Sequence, residues 1–294
     1  MVTHSARIDG TELSYVDEGN GRPVMLVHGG MSDHRIWDDH RPIIASRYRV
    51  IAATLRYFGT SPWSDDGRNF SVETHADDLA AFIRMLDVGP VAVVGWSYGA
   101  VVSLAMVARH PGLADRLLLY EPGITTFVTD PVALDRATED RLQVMLPGKK
   151  AVMSGDNEGA IRILTEGVDN RAGAFRQLPD HVQAIMLENA RILPLLFASP
   201  PPPTITCEDL GRLGIPVGIA AGKNSRVYCQ IVAEAAHRCI PGSALIRVPN
   251  ARHLWPSQDP ATFSRLVLDF LGNGYSGPEE GLSPESMFRP LRGH

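Results

Sequence analysis

Residues 95–99 read Gly95-Trp96-Ser97-Tyr98-Gly99 and lie between a short β-branched run at 91–94 and an apolar, helix-compatible segment at 100–108. G-x-S-x-G between a strand and a helix puts a serine on a sharp turn with its hydroxyl above the sheet edge. Glycine is needed on both sides because a side chain there would meet neighbouring backbone. The helix that follows points its N-terminal amides, with their partial positive charge, at the same spot. Ser97 is thus set as a nucleophile, which requires a base, an acid to orient that base, and donors for an oxyanion.

Open parallel sheets present ligands on loops at the carboxyl ends of their strands. His253 fits the base, since it follows an apolar run at 244–248 and the turn Pro249-Asn250-Ala251-Arg252. Other histidines suit the role less well. His4 and His294 are terminal, His110 and His237 lie near helix ends, and His34, His40, His75 and His181 lack a strand-end context. For the oxyanion, one backbone N–H is expected from Tyr98 and a second from Gly30, with Met31 as second choice. His28-Gly29-Gly30 ends an earlier apolar run, and two residues without Cβ allow close backbone approach. Trp96, Trp255, Trp37 and Met31 are the candidate pocket walls, and Arg56 and Tyr57 stand on the same rim either as a polar contact or as a structural ion pair.

These groups need elements to hold them. Asp9-Gly10 between residues 6–8 and 13–16 predicts a β-hairpin. Strands are predicted at 23–27, 48–54, 91–94 and 117–120, with a helix over 72–86 where Leu79, Phe82, Ile83 and Leu86 recur at helical spacing. The alternation then stops. Residues 132–146, 158–168 and 177–197 read as helical, the last interrupted at Pro179 and Pro194, and the proline run at 200–203 reads as an extended return to the core. Strands at 217–221 and 244–248 and helices at 229–239 and 260–271 complete the pattern. The expected fold is α/β, a doubly wound, mostly parallel sheet with a helical cap insertion. Its parts are a core at 1–122, a cap at 123–207, the rest of the core at 208–271 and a glycine- and proline-rich tail at 272–294.

Composition bounds the partners. A chain of 294 residues with 44% apolar and 21% charged residues buries a sizeable core, and a net charge of −5 without a Lys/Arg-rich run disfavours nucleic acid. There is no apolar signal region and no membrane-length apolar stretch, so a soluble cytoplasmic protein without a membrane partner is expected. Cys207, Cys229 and Cys239 are odd in number and widely spaced, which reads as packed thiols in a reducing compartment. No Walker A sequence, dinucleotide fingerprint or metal-ligand spacing is present, so no cofactor and no metal are expected. The partner is a small-molecule substrate, with a homodimer left open.

Taken in order, His28-Gly29-Gly30, Gly95-Trp96-Ser97-Tyr98-Gly99, the cap-like insertion and His253 resemble the α/β-hydrolase superfamily, in its capped esterase, lactonase and C–C hydrolase branch. The resemblance runs over residues 6–271. It implies an orienting acid in a Gly-x-Asp-Ser sequence after the strand at 217–221. This chain has Gly222-Lys223-Asn224-Ser225 instead. A neutral amide orients imidazole but does not stabilise imidazolium, at a cost as large as ~10⁴ in kcat. Glu121, at the end of the strand after the nucleophile helix, is a place from which some members of the superfamily supply the acid, and it takes the role here. Asp209 and Asp259 are weaker, one too early in the return segment and one a helix cap. The relatives with an aspartate nucleophile, haloalkane dehalogenases and epoxide hydrolases, differ at position 97. The resulting expectation is a serine hydrolase cleaving a medium-sized, largely apolar ester or lactone through an acyl-enzyme. A lyase, cyclase or C–C bond hydrolase using the same site, and a non-catalytic ligand-binding protein on this fold, are the alternatives.

Overall fold

The computed structural model describes residues 2–63 and 65–273. An eight-stranded sheet forms the centre, from β1 (His4–Ile8), β2 (Thr11–Glu18), β3 (Pro23–Val27), β4 (Arg49–Ala53), β5 (Val91–Trp96), β6 (Ala114–Tyr120), β7 (Val217–Gly222) and β8 (Ala244–Val248). Asp9 at φ 44 and Gly10 at φ 79 make the two-residue turn that pairs β1 with β2. The strand order is β1-β2-β4-β3-β5-β6-β7-β8. The β1–β2 and β2–β4 pairs are antiparallel, and every pair from β4 to β8 is parallel. All six residues of β5 and of β7 are buried, as strands covered on both faces must be.

From β3 the chain crosses to β4 on one side and then returns to β5 on the other. That reversal opens a crevice between the carboxyl ends of β3 and β5, the place where sheets of this kind bind ligands. The helices of the core are α1 (Arg41–Ile44), α2 (Val72–Leu86) and α3 (Tyr98–Arg109). Ser71 caps α2 by accepting the Thr74 amide, and α2 ends where Asp87 turns left-handed at φ 50.

After β6 the described residues hold no strand until β7. Instead come α4 (Pro131–Met153), α5 (Asn157–Asp169), α6 (Asp180–Glu188) and α7 (Leu193–Ala198). Helix α4 runs past Pro147, where the sequence pattern ended it. A proline there forfeits one hydrogen bond. Close packing of α4 on α5 offsets that loss, because a Cβ at Gly148 would lie 2.4 Å from Leu164 and one at Gly167 would lie 2.8 Å from Val144. Pro194 sits in the first turn of α7, where its missing N–H costs nothing. The chain then completes the core with α8 (Cys207–Gly211), α9 (Val227–Cys239), α10 (Trp255–Gln258) and α11 (Pro260–Asn273). Most of the tail expected at 272–294 lies outside the described residues.

The cysteine reading needs correction. Cys207, at the start of α8, and Cys239, at the end of α9, form a disulfide with Cα atoms 5.0 Å apart, and Cys229 is the free, buried thiol. Thirty-two residues of separation hid the pair, because only the docking of α8 on α9 brings its halves together. The argument for a reducing compartment therefore loses two of its three thiols. Among the described residues no helix is long and apolar enough to cross a membrane. Closing a loop of this length is worth about 3–4 kcal/mol in the chain-entropy account. Cys207→Ser should accordingly lower the denaturation midpoint under non-reducing conditions and remove the effect of added dithiothreitol. A variant as stable as the parent would show that the bridge contributes nothing.

Candidate active site

Ser97 sits at φ 55, ψ −117, the strained turn predicted between β5 and α3. Its amide donates to the Tyr120 carbonyl at 2.9 Å, and its own carbonyl accepts from Ala100 and Val101 as α3 begins. Both flanking glycines are forced. A Cβ at Gly99 would come within 2.3 Å of the His28 carbonyl oxygen, and one at Gly95 within 2.7 Å of the Ala100 Cα.

His253 follows β8 at the same end of the sheet. Its Nε2 lies 3.0 Å from the Ser97 Oγ, and its Nδ1 lies 2.7 Å from the Glu121 Oε2. Glu121 is fully buried at the end of β6 and, like Ser97, holds a left-handed backbone, φ 49. Its other oxygen, Oε1, accepts the Gly222 amide at 2.8 Å and the Ser225 hydroxyl at 2.5 Å. A carboxylate taken out of water needs such partners, since an unpaired one costs several kcal/mol. Asn224 is exposed and engages through its backbone, with its amide on the Ala251 carbonyl and its carbonyl receiving Arg252.

The loop after β3 stands opposite. A Cβ at Gly30 would be 3.2 Å from the Tyr98 Cβ, so the Gly30 backbone lies against the first residue of α3. His28 anchors the loop. Its Nε2 accepts the Leu55 amide at 3.0 Å, which leaves the proton on Nδ1, donated to the Gly29 carbonyl at 2.8 Å. Burial pushes its pKa down to about 4. Tyr98 is anchored likewise, its hydroxyl 2.8 Å from His75 Nδ1, while His75 Nε2 meets the Arg56 carbonyl at 3.1 Å. Burial, with the nearby His28, lowers His75 to about 3. Arg56 proves structural, paired with the buried Asp78 through two hydrogen bonds of 2.7 and 2.6 Å, and the Tyr57 hydroxyl donates to Asp65.

A cleft of about 30 Å³ opens at Ser97, lined by Gly29, Gly30, Met31, Ser32, Ile36, Trp96, Met186, His253 and Leu254. Met31 and Trp96 thus stand where the sequence put them. Trp37 and Trp255 do not. Trp37 is fully buried between Trp96 and Phe263, and Trp255 packs on Tyr120 and Phe263, so both belong to an aromatic layer beneath the site. Sequence reasoning missed Ser32, Ile36 and Leu254, whose only signal was closeness to the His28-Gly29-Gly30 and His253 loops. A larger cavity, about 760 Å³, lies at the amino ends of the strands near Ala114 and Ile215, remote from Ser97.

The cap is pinned over this cleft. Buried Asn189 donates to the Asp33 Oδ2 at 2.7 Å and accepts the Gly59 amide at 2.7 Å. Burial works against the Asp33 charge, but hydrogen bonds from Arg35 and Asn189 outweigh it and hold the carboxyl below its ordinary range.

A family model described as the alpha/beta hydrolase fold matches residues 22–156. A pimeloyl-[acyl-carrier protein] methyl ester esterase of Neisseria meningitidis is 27% identical over 294 residues, covering 92% of this chain and 81% of the relative. The esterase RhEst1 from Rhodococcus sp. ECU1013 superposes with a TM-score of 0.74 at 25% identity, over 93% of this chain and 99% of its own. Est816, described as an N-acyl homoserine lactone degrading enzyme, superposes at 0.70 with 21% identity, over 91% and 100%.

Two buried neutral histidines, His28 and His75, brace the Gly30 and Tyr98 side of the cleft, and their protonation is linked to folding. Both have native pKa values below the unfolded 6.5, so the unfolded chain binds more protons between pH 6.5 and about 4. Stability should therefore be full above pH 6.5 and fall as pH drops through that window. Urea midpoints measured at pH 7, 5.5 and 4.5 should decline with net proton uptake on unfolding. A flat series would contradict the assignment of neutral, buried rings.

Proposed function

The chain belongs to the α/β-hydrolase superfamily, and from that premise we propose that it is a serine hydrolase cleaving an apolar ester or lactone. One observation carries the proposal: Ser97 Oγ, His253 and Glu121, from three separate strand ends, form a continuous line with spacings of 3.0 and 2.7 Å. In the proposed reaction Ser97 attacks the carbonyl carbon while His253 Nε2 takes its proton. Glu121 keeps the His253 proton on Nδ1 and stabilises the imidazolium that forms. The Tyr98 and Gly30 amides receive the oxyanion. His253 then gives the proton to the departing alkoxide, and a water activated by the same imidazole releases the acid.

Chemistry near the cleft supports an apolar substrate, since Met31, Ile36, Trp96, Met186 and Leu254 are half of its ten lining residues. The cleft is small, about 30 Å³, and open to solvent at Ser97, so it would hold the reacting carbonyl of an ester while the rest of a medium-sized substrate lies outside it. The esterase and lactonase activities named for the similar proteins agree with this reading.

A fluorophosphonate probe should label wild-type protein at one site and fail to label Ser97→Ala. Glu121→Gln should depress kcat on an aryl ester by about 10³–10⁴ with folding intact, whereas Asn224→Ala should stay near wild type. Absence of labelling in the wild type, with short probes admitted to the cleft, would overturn the reading. Reversed effects at 121 and 224 would move the orienting role to the Asn224 loop.

A further inference from the structure

The segment Arg252-His253-Leu254 is held from two directions. From the core, the Tyr120 hydroxyl donates to the Arg252 carbonyl at 2.6 Å, and the Trp96 indole donates to the His253 carbonyl at 3.0 Å. These bonds fix carbonyls and leave the Leu254 amide to be satisfied. Its acceptor comes from the insertion. Asp169, the last residue of α5, receives the Leu254 amide on Oδ1 at 3.0 Å and the Gln258 side chain on Oδ2 at 3.3 Å. Asp169 is 0% exposed, and its remaining charge partner is Arg171, 3.4 Å away. Arg252 adds a second tie, donating to the carbonyls of Asp169, Asn170 and Asn224.

A buried carboxylate is costly to maintain unless its hydrogen bonds are well made. Here a charge-assisted bond goes to the backbone amide adjoining the base, and such bonds are the stronger kind. Resting on the serine-hydrolase reading above, we infer that Asp169 is a positioning residue: it aligns the His253 ring on Ser97, so that the base is in register only while the α4–α5 part of the insertion is docked. Asp169 does not itself line the cleft and has no bond to Ser97, so its effect passes through the backbone of Leu254, which does line it. The insertion then does more than wall the pocket. It completes the geometry of a base that belongs to the core.

The test uses the full chain, p-nitrophenyl acetate and a fluorophosphonate probe, with thermal unfolding followed in parallel. Asp169→Ala should lower both kcat and the labelling rate of Ser97 by about 10- to 100-fold, the scale set by a misplacement near 1 Å, and KM should hardly change. Asp169→Asn retains a side-chain oxygen for the Leu254 amide and should recover most of the loss. The downfield Nδ1 proton resonance of His253 should shift or broaden in the alanine variant and return in the asparagine one. Should the alanine variant not fold, Asp169→Ser, too short to reach the amide, is measured instead with the same expectation. A lower melting temperature with unchanged kcat and labelling would reduce Asp169 to a structural role and overturn the inference. A rise confined to KM would overturn it as well. A wild type that neither labels nor hydrolyses would overturn the parent reading, and is distinguished because it fails before any variant is made.

Discussion

A buried carboxylate facing an imidazole is the constraint around which this molecule is arranged. Glu121 has no exposure to water, and its charge is tolerable because its two oxygens meet three partners, the His253 ring, the Gly222 amide and the Ser225 hydroxyl. Those partners come from the ends of β7, which pairs with β6, and β8, which pairs with β7. Parallel pairing aligns the carboxyl ends of β5, β6, β7 and β8 along one edge, so residues more than a hundred positions apart in the chain arrive within a few ångströms. The sheet order, rather than any local propensity, is what makes the site.

Strain is concentrated at the same edge. Ser97 and Glu121 both occupy the left-handed region without being glycine, at φ 55 and 49. Each such residue costs of order 1–3 kcal/mol and persists only where its surroundings over-determine it. For Ser97 the surroundings are the Tyr120 carbonyl and the first turn of α3, with Gly95 and Gly99 providing room. For Glu121 they are the Ala220 carbonyl, which takes its amide at 3.1 Å, and the two donors on Oε1. The bends direct both side chains across the top of the sheet, where a regular strand would have sent them into its faces.

Much of this was legible in the sequence because the signals are local and sterically strict. Gly95 and Gly99 announce the turn, Asp9-Gly10 the hairpin, and the spacing of Leu79, Phe82, Ile83 and Leu86 the helix α2. Glu121 was reachable only through the family resemblance, which implies an acid at the position of Asn224 and, where that is missing, at the strand end that Glu121 occupies. What escaped depended on contacts between distant elements. Nothing near Trp37 or Trp255 marks them as an aromatic layer under the site, since an exposed pocket wall and a buried stack require the same residue type. Cys207 and Cys239 carry no spacing signature, and Pro147 reads as a helix end unless one knows that Gly148 lets α5 approach closely. Asp169 is the sharpest case. In sequence it is an acidic helix end followed by Asn170, the mark of an ordinary C-cap, and only the docked fold shows its carboxylate on the Leu254 amide.

The insertion is consequently tied to both halves of the site by buried polar groups, Asp169 on the His253 side and Asn189 on the Gly30 side through Asp33. Apolar packing alone would let such a layer slide by small steps at little cost, because dispersion contacts are non-directional. Hydrogen bonds to buried carboxylates are directional, and leaving one unmade costs more than making it gains. A layer held this way has discrete positions. Met186 lines the small cleft at Ser97, and Ser97 remains partly open to solvent. The two ties are not equivalent. Asn189 is one of several contacts that seat α6, beside the Glu188–Arg35 and His181–Asp39 ion pairs, whereas Asp169 reaches the Leu254 amide next to His253 from α5.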